Sequence, residues 1–389
     1  MIKLSKDKKN ILYIMYSDPA FYPPMLNGSQ ILAENGCAVK LIGAGVFGAP
    51  NLSVEEIDGR VVKKISGVPS PGIAQKIHYF YYFIVILFNV LWFRPHWIYA
   101  SDMLAAPIAL ILSYLPGLKI LYHEHDSQMV TQKSPFMRLC RKTLDKLAKR
   151  SDICVLPNER RLERFVTNTE RNKPTVCVWN CPLKAQAIFK KEKGFQGNRT
   201  LYYHGSVAPE RLPESIVDIL ARIRTGLRLK VVGYETAGSQ GYINHLENKA
   251  KELGISEQVN FLGPKSYHSG LMDICRSCDV GLALLSKESQ DENMINMLGA
   301  SNKIFEYMAC SLPVILPDIP EWVETFVKPG YALACDPNDP GSIEKAIKWF
   351  AENPEEAKEM GEKGRQKILS EWNYENQFEP VSRAIAPNE

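Results

Sequence analysis

Short apolar runs alternate with helical patterns along most of the chain. In the first half, helical patterns at 29–35 and 135–149 lie between apolar runs at 11–15, 39–43, 97–100, 120–123, 153–156 and 176–179. The second half repeats this rhythm. Its apolar runs are 201–204, 229–232, 259–262, 280–284 and 314–316, and its helical patterns are 213–222, 242–253, 269–276, 302–309 and 341–352. Strands that alternate with helices predict βαβ units and parallel sheets.

A chain of 389 residues is too long for one ordinary core and suits two domains. The polar stretch 184–199 is typical of an interdomain linker. We therefore predict an α/β protein with two Rossmann-like parallel-sheet domains, residues 1–185 and residues 186–365, facing a central cleft.

Charge is distributed unevenly, although the formal net charge is only +4. Residues 1–185 carry 24 Lys and Arg against 14 Asp and Glu, whereas the remainder carries 23 against 29. A basic first half and an acidic second half indicate that the two halves meet different partners. The nine cysteines contain a single CxxC pair and the first residues do not resemble a signal peptide, so the expected compartment is the cytoplasm.

Residues 77–93 form an apolar segment without a formal charge, bracketed by Lys76 and Arg94. Its length is near the lower limit for a membrane span. The βαβ rhythm favours a buried crossover helix here, with a helix partly embedded in a membrane surface and a true span as the alternatives. The basic amphipathic pattern at 133–150 bears on this choice, because Arg138, Arg141, Lys142 and Lys149 share one helical face. Such a helix is either a solvated surface helix or a binder of anionic lipid, on the inner face of the membrane.

The segment 301–315 carries the most specific pattern in the sequence. A helix is expected to begin near Asn302, followed by a tight turn and a short buried strand. The unpaired amides at a helix start favour a diphosphate. Glu306 lies one turn further on the same face, where its carboxylate can accept hydrogen bonds from a ribose diol. The alternative is an ordinary capped helix that packs Ile304, Phe305 and Met308 in the core.

This segment resembles the nucleotide-sugar motif of retaining GT-B glycosyltransferases, in particular the family 4 branch with the pattern PNK-x-FEYMA-x-G-x-PV. The resemblance covers nearly the whole chain: residues 94–102, 150–155, 277–281 and 371–375 resemble further stretches of that family. It implies that Ser301, Asn302, Lys303 and Ile304 hold the diphosphate and that Glu306 binds the ribose. It also implies that the last segment, 366–389, is a helix that packs back on the first domain.

The chain departs from the family pattern at several positions. Leu298 stands where many members have an acid, so such an acid is absent or comes from Asp291 or Glu292. Ser311 replaces the usual glycine, and Ser206 replaces an Arg after the strand-ending Gly205. Arg211 lies near the place of the family's pyrophosphate-binding Lys and is expected to neutralise the diphosphate alone. Gly233, Tyr234 and Pro264 follow neighbouring strands, where the nucleotide base is expected.

A second cluster, His123-Glu124-His125-Asp126, follows directly after a predicted strand. Two histidines at i and i+2 share a face of a strand, but no further metal ligand is evident in the sequence, so no metal site is predicted. The resemblance implies that His125 reaches the donor sugar across the cleft and that Asp126 stands in the place of the family's glutamate. We take His125 and Asp126 as the candidate catalytic residues; the alternative is a histidine satisfied by backbone groups in a loop.

The expected reaction is transfer of a sugar from a nucleoside-diphosphate sugar, UDP or GDP, to a hydroxyl of a saccharide, a lipid-linked glycan or a protein. By resemblance, the configuration is retained, and neither a metal nor another cofactor is expected. An anionic membrane surface is a further partner considered, whereas nucleic acid is not expected. The alternatives are a nucleotide-sugar 2-epimerase of the same architecture, a weakly active binding or scaffold homologue, and an NAD-dependent enzyme, whose glycine fingerprint is incomplete here.

Overall fold

The chain forms two compact units. The computed structural model describes residues 8–47, 52–70, 72–127, 134–188, 199–223, 226–236, 238–288 and 292–386. Unit 1 consists of Met1–Asn180 and Tyr374–Glu389, and unit 2 consists of Cys181–Asn373. The division falls after Asn180 rather than after residue 185, and the chain returns to unit 1 at Tyr374 rather than at residue 366.

Unit 1 is built on a seven-stranded parallel sheet with the order β3-β2-β1-β4-β5-β6-β7. Its strands are β1 (Asn10–Ile14), β2 (Ala38–Ala44), β3 (Arg60–Ile65), β4 (Trp97–Ser101), β5 (Lys119–His123), β6 (Ile153–Leu156) and β7 (Thr175–Cys177). The central strands are buried along their length because helices cover both faces of a parallel sheet. The apolar pattern does not predict β3, an edge strand that carries Lys63 and Lys64.

Five helices connect these strands: α1 (Pro23–Glu34), α2 (Ile73–Phe93), α3 (Ala106–Leu112), α4 (Pro135–Arg150) and α5 (Glu159–Thr169). Short 3-10 turns occupy Pro19–Phe21 and Met103–Ala105. Helices α2, α3 and α4 pack on one face of the sheet, where Tyr82, Leu112 and Leu144 share a core with Ile14 and Ile98. The expected crossovers are therefore present.

Helix α2 joins β3 to β4 as a crossover helix, but the expectation of a buried helix is wrong for most of its surface. Only Tyr82 and Ile86 are fully enclosed, whereas Leu91 and Trp92 are 76% and 80% exposed. By length and composition this helix could also cross a membrane. The sequence pattern does not distinguish a buried helix from one exposed to solvent or to a membrane, because the helix is apolar on both sides.

Unit 2 contains a six-stranded parallel sheet with the order β10-β9-β8-β11-β12-β13. Its strands are β8 (Thr200–Ser206), β9 (Arg228–Tyr234), β10 (Val259–Phe261), β11 (Val280–Leu282), β12 (Val314–Pro317) and β13 (Ala332–Cys335). The short edge strand β13 is again the one that the apolar pattern does not predict.

The helices of unit 2 are α6 (Lys184–Ile188), α7 (Ser215–Arg222), α8 (Tyr242–Glu252), α9 (Met272–Arg276), α10 (Glu292–Ile295), α11 (Asn302–Ala309), α12 (Pro320–Trp322), α13 (Pro340–Glu352) and α14 (Pro354–Ser370). A 3-10 turn at Ser256–Gln258 and π-helical turns at Tyr267–Leu271 and Val323–Val327 complete it. The predicted linker begins with α6, which packs on α14, and residues 189–198 lie outside the described residues.

The last helix, α15 (Tyr374–Ile385), belongs to unit 1 and packs on α1. In both sheets the strand order reverses beside the first strand of the unit, between β1 and β4 and between β8 and β11. Ligands of doubly wound sheets bind at the carboxyl ends of the strands at such a reversal. Gly205 and Ser206 end β8 at the reversal in unit 2, and Asp102 follows β4 at the reversal in unit 1.

Candidate active site

The start of α11 presents unpaired backbone amides at the carboxyl edge of the unit 2 sheet. Ser301 is the residue before the helix, and its side chain makes no capping hydrogen bond to the first turn. Within the part of the chain that the structure describes, the amides of Asn302, Lys303 and Ile304 make no hydrogen bond outside the helix, and the helix dipole favours an anion there. Ile304 itself is buried, so its contribution to a site is limited to its backbone.

Lys303 and Arg211 bring two cations to this helix start. They line a small cavity together with Ala283, Leu284, Leu285, Met297, Ser301 and Trp322. Desolvation, and then the charge of Arg211, lower the pKa of Lys303 to about 7 in spite of the opposing effect of Glu306. The Arg211 guanidinium contacts the Sδ atom of Met294 at 3.1 Å, which is a weak acceptor. Two cations that line one cavity favour a bound anion. The side chain of Lys303 is therefore a second candidate cation beside Arg211, in addition to the backbone amide that the sequence assigns to the diphosphate.

Two glycines open the strand ends to Lys303. Gly205 has a φ of +115°, and a Cβ atom there would lie 2.8 Å from Cε of Lys303. A Cβ atom on Gly233 would lie 2.2 Å from the carbonyl oxygen of Gly205, its partner in register on β8. Both positions therefore need glycine; Gly205 is half-buried and Gly233 is buried.

Glu306 is held by a residue that the sequence did not single out. Nε2 of His204 lies 2.6 Å from Oε2 of Glu306, and both side chains are almost fully buried. Since a carboxylate only accepts hydrogen bonds, the ring donates through Nε2. This contact fixes Glu306 and leaves Oε1 as the oxygen for a ribose hydroxyl. No local pattern connects the two residues, because β8 and α11 are distant in the chain.

The remaining residues predicted for the donor lie beside this cluster. Tyr234 ends β9 in register with Ser206, and Pro264 follows β10, the next strand outward. Neither lines the cavity of Lys303. Asp291, considered as a replacement for the acid missing at Leu298, lies outside the described residues, and of Glu292 only the backbone within α10 is described.

Ser311, which replaces the usual glycine of the family pattern, keeps the backbone conformation of a glycine. It follows α11 with a φ of +58°, in the left-handed region that favours glycine. Its hydroxyl is buried without a hydrogen-bond partner among the described residues. The serine therefore occupies a glycine conformation at some cost in backbone energy, and the path of the chain between α11 and β12 is kept.

In unit 1, the loop after β5 holds His125 by its backbone. The amides of His125 and Asp126 donate to Oδ1 of Asp102 at 2.8 and 3.3 Å, and the carbonyl of His125 accepts from Nη2 of Arg161 at 2.8 Å. Asp102 has a φ of +63° and is half-buried. Desolvation, and then the charge of Asp126, raise the pKa of Asp102 to about 8. The loop is therefore positioned by backbone hydrogen bonds, and the imidazole of His125 takes no part in them.

The imidazole of His125 is enclosed and neutral. Both ring nitrogens are buried without a hydrogen-bond partner among the described residues, and the ring lies 4.0 Å from that of His123 and 5.5 Å from that of Tyr22. Desolvation, and then Arg161, lower its pKa to about 3. A buried ring with two unsatisfied nitrogens can accept or donate a hydrogen bond to a neutral ligand. In contrast, the side chain of Asp126 is exposed.

The two histidines do not form part of a larger ligand set. Nδ1 of His123 is hydrogen-bonded to the Tyr99 hydroxyl at 2.7 Å, and the neighbouring Glu124 is bonded by Ser127 and faces Arg161. Within the described ranges, no three His, Cys, Asp or Glu side chains are grouped closely enough to hold a metal ion.

Comparison with solved structures defines the class of fold. Sucrose-phosphate synthase from Thermosynechococcus elongatus is 14% identical, with a TM-score of 0.69 over 97% of this chain and 98% of that structure. Anabaena HepE in complex with UDP and glucose is 13% identical, with a TM-score of 0.69 over 98% of this chain and all of that structure. The protein has the fold of the GT-B glycosyltransferases, with two Rossmann-like units.

A match to a known family falls in unit 2. Residues 184–367 match the model of the family described as glycosyl transferases group 1, and this match covers nearly all of unit 2. The chain is also 34% identical to D-inositol 3-phosphate glycosyltransferase from Stackebrandtia nassauensis over 87 residues. This second match spans 21% of this chain and 19% of that relative.

Proposed function

We propose that the protein is a glycosyltransferase that moves a sugar from a nucleoside-diphosphate sugar to a hydroxyl acceptor. The observation that carries this proposal is the cluster of Lys303, Arg211 and the free amides at the start of α11. It lies at the sheet reversal of a group 1 domain, where the charge and geometry suit a diphosphate.

In the proposed complex, the diphosphate accepts hydrogen bonds from the amides of residues 302–304 and from Lys303 and Arg211. These donors also stabilise the negative charge that develops on the departing nucleotide, which is the main electrostatic requirement of the reaction. Glu306, oriented by His204, accepts from the ribose. The ligand approaches the protein backbone at the strand ends formed by Gly205, Ser206 and Gly233. Tyr234 and Pro264 border the nucleotide base.

His125 is proposed to bind the donor sugar as a neutral hydrogen-bonding group rather than to transfer protons. Its two unsatisfied ring nitrogens support the first role, and its lowered pKa of about 3 argues against the second. Because Leu298 stands in place of an acid, the departing phosphate is proposed to accept the proton of the attacking acceptor hydroxyl. We propose retention of configuration and activity without a metal, with Asp126 bordering the sugar.

The acceptor proposed is a saccharide, a lipid-linked glycan or a protein hydroxyl, in the assembly of a surface polysaccharide or glycolipid. The basic charge of residues 1–185 supports an acceptor that carries phosphate or lies at an anionic surface. The proposed site of action is the cytoplasm, at the inner face of the membrane.

A donor panel tests this function. UDP-, GDP-, ADP- and TDP-sugars are screened by thermal shift, and the donor that stabilises the protein is then incubated with candidate acceptors. Free nucleotide with a glycosylated product is expected, and the activity should survive EDTA. Release of a C2-inverted sugar would identify an epimerase, and stabilisation without any product would identify a binding homologue.

Variants locate the donor in this assay. Lys303→Met with Arg211→Met should abolish the thermal shift, whereas Lys328→Met, an exposed lysine of unit 2 paired with Glu324, should leave it unchanged. If the double variant is stabilised as strongly as the native protein, the donor does not bind at the start of α11.

A further inference from the structure

Helix α2 has an outer stripe of large apolar side chains that no described part of unit 1 covers. The stripe recurs at intervals of three and four residues, opposite Tyr82 and Ile86, which face the core. Its members are between 45% and 77% exposed: Ile73, Ile77, Phe80, Ile84, Phe88 and Leu91. A helix on the surface of a soluble domain normally has polar residues on this side, and contiguous exposed apolar patches mark interaction sites.

The aromatic content of the outer stripe and its flanks indicates what covers it. Phe88 stacks on Trp92 with a centroid separation of 6.5 Å, and Tyr81 lies beside Phe80 on the same outer side. Tryptophan and tyrosine are enriched where a protein meets the headgroup region of a bilayer, because their rings are apolar with one polar atom. Asp and Glu are absent from Ile73–Phe93; Lys76 lies in the first turn of the helix and Arg94 follows its last residue.

The fold holds α2 in place, which excludes a role as a membrane span. The hydroxyl of Tyr82 donates to the carbonyl of Ile42 at 2.9 Å and accepts from the amide of Met15 at 2.8 Å. Both ends of α2 continue into strands of one sheet, β3 and β4. To cross a bilayer, the helix would have to leave this core and break the buried hydrogen bonds. Its outer stripe can instead lie in the plane of a membrane surface.

Helix α4 adds a positive charge next to this surface. It contacts α2 through the rings of Tyr79 and Phe136, whose centroids are 5.0 Å apart. Arg138, Lys142 and Lys146 of α4 are exposed on the side away from the core. Arg141 is paired with its neighbour Asp145, so its charge is partly compensated.

The combination of an apolar stripe with a basic neighbour selects an anionic bilayer over a second copy of the chain. Stable attachment to a membrane takes two signals, and an apolar surface with adjacent cations supplies both. A symmetric dimer built on the outer stripe would bring two basic α4 helices towards each other, and like charges oppose such contact.

We propose that the outer stripe of α2 docks into the interface of an anionic membrane, parallel to its surface, with the basic face of α4 on the headgroups. The docking does not require the donor. It therefore stands or falls independently of the proposed transferase activity.

The test is sedimentation of the full chain with vesicles of phosphatidylcholine, with or without one quarter phosphatidylglycerol. The protein should bind the anionic vesicles, and Phe88→Ser with Trp92→Ser should weaken the binding at least about tenfold. Neutralising Arg138, Lys142 and Lys146 to Gln should weaken it about fivefold per residue at low salt. Leu253→Ser, an exposed apolar residue of unit 2, is the matched control and should bind as the native protein does.

The depth to which α2 enters the membrane is measured by quenching of tryptophan fluorescence with brominated lipid. Trp92→Phe should keep the binding but lose most of the quenching, because it removes the inserted fluorophore. Unchanged melting and donor-induced stabilisation of the Ser variants would show that their folding is intact. The proposal is overturned if native protein ignores the anionic vesicles, if the Ser variants bind them equally well, or if light scattering shows a dimer that those substitutions dissociate.

Discussion

The pH dependence of donor binding gives the sharpest prediction, because it depends on one side chain. The pKa of Lys303 is lowered to about 7 in the unliganded protein, by desolvation and by Arg211. A bound diphosphate supplies the missing negative charge and should return this pKa towards the ordinary lysine value of about 10.4. Binding then takes up a proton above pH 7, and the affinity falls as the pH rises.

The magnitude follows from this linkage. If only the ammonium form of Lys303 binds the diphosphate, the dissociation constant increases by about tenfold between pH 6 and pH 8, and by about tenfold for each further unit. In Lys303→Met the loss of a charge-assisted hydrogen bond should cost about 1.5–3 kcal/mol at pH 6, which is a weakening of about 10- to 150-fold. At pH 8 the ratio of the two dissociation constants, variant to native, should be about tenfold smaller than at pH 6.

The assay is calorimetric titration with an intact nucleotide sugar between pH 6 and pH 8.5. Free UDP is unsuitable because its terminal phosphate titrates near pH 6. The titratable neighbours His204 and Glu306 remain in Lys303→Met, so any slope they cause persists in the variant. Lys328→Met serves as the control. An affinity that is independent of pH, or an equal slope in Lys303→Met, would refute the assignment of Lys303 to the diphosphate.

The same lowered pKa has a consequence for folding. The unfolded chain binds more protons at Lys303 than the folded chain between pH 7 and about 10, so the stability of the unliganded protein should rise with pH in this window. Lys303→Met should therefore melt higher than the native protein below pH 7, by about 2–4 °C for each 1 kcal/mol relieved.

Two further substitutions test the local geometry. Ser311→Gly should stabilise unit 2 by about 1 kcal/mol in a denaturant titration, because it relieves the positive φ and removes a buried unpaired hydroxyl; Ser311→Ala, which keeps a Cβ atom, should gain less, and equal effects would speak against strain. His125→Ala should lower kcat/KM about 10- to 100-fold without weakening nucleotide binding. Since the pKa of His125 is about 3, His125→Asn should keep the shape of the native pH–rate profile, and loss of a limb near neutrality would assign proton transfer to the ring.

The parts of the fold that the sequence predicts are those with a strong local signal. The bounds of α11 at Asn302 and Ala309 agree with the pattern, since a polar start, an apolar face and a following turn lie within one short segment. The edge strands β3 and β13 lack such a signal. Strand β3 has an exposed Lys63 and a Lys64 that is paired with Asp18, and β13 has no apolar–polar alternation. Each is recruited by the neighbouring strand with which it pairs.

The site is predictable only where its residues are close in sequence. The start of α11 and the histidine loop each lie on one segment, and the sequence predicts both by the resemblance of these segments to a family. The contact of His204 with Glu306 joins a strand to a helix, and the effect of Arg211 on Lys303 depends on burial. Neither spacing nor composition reports such contacts. The sequence also does not predict the exposure of Trp92, because an apolar helix has the same pattern whether its outer face is buried or exposed.

Unit 1 is closed by the end of the chain, which constrains how it is synthesised. Phe378 of α15 approaches Gly28 so closely that a Cβ atom there would lie 3.1 Å from its ring, and Asn35 donates to the Ser382 hydroxyl at 2.9 Å. All of Cys181–Asn373 must leave the ribosome before these contacts can form. At ordinary elongation rates this leaves the α1 surface uncovered for about 10–40 s, with Tyr374 and Phe378 still to come. During translation, the surface of α1 that α15 covers therefore stays exposed, and chaperones that bind apolar surface can reach it until that helix is made.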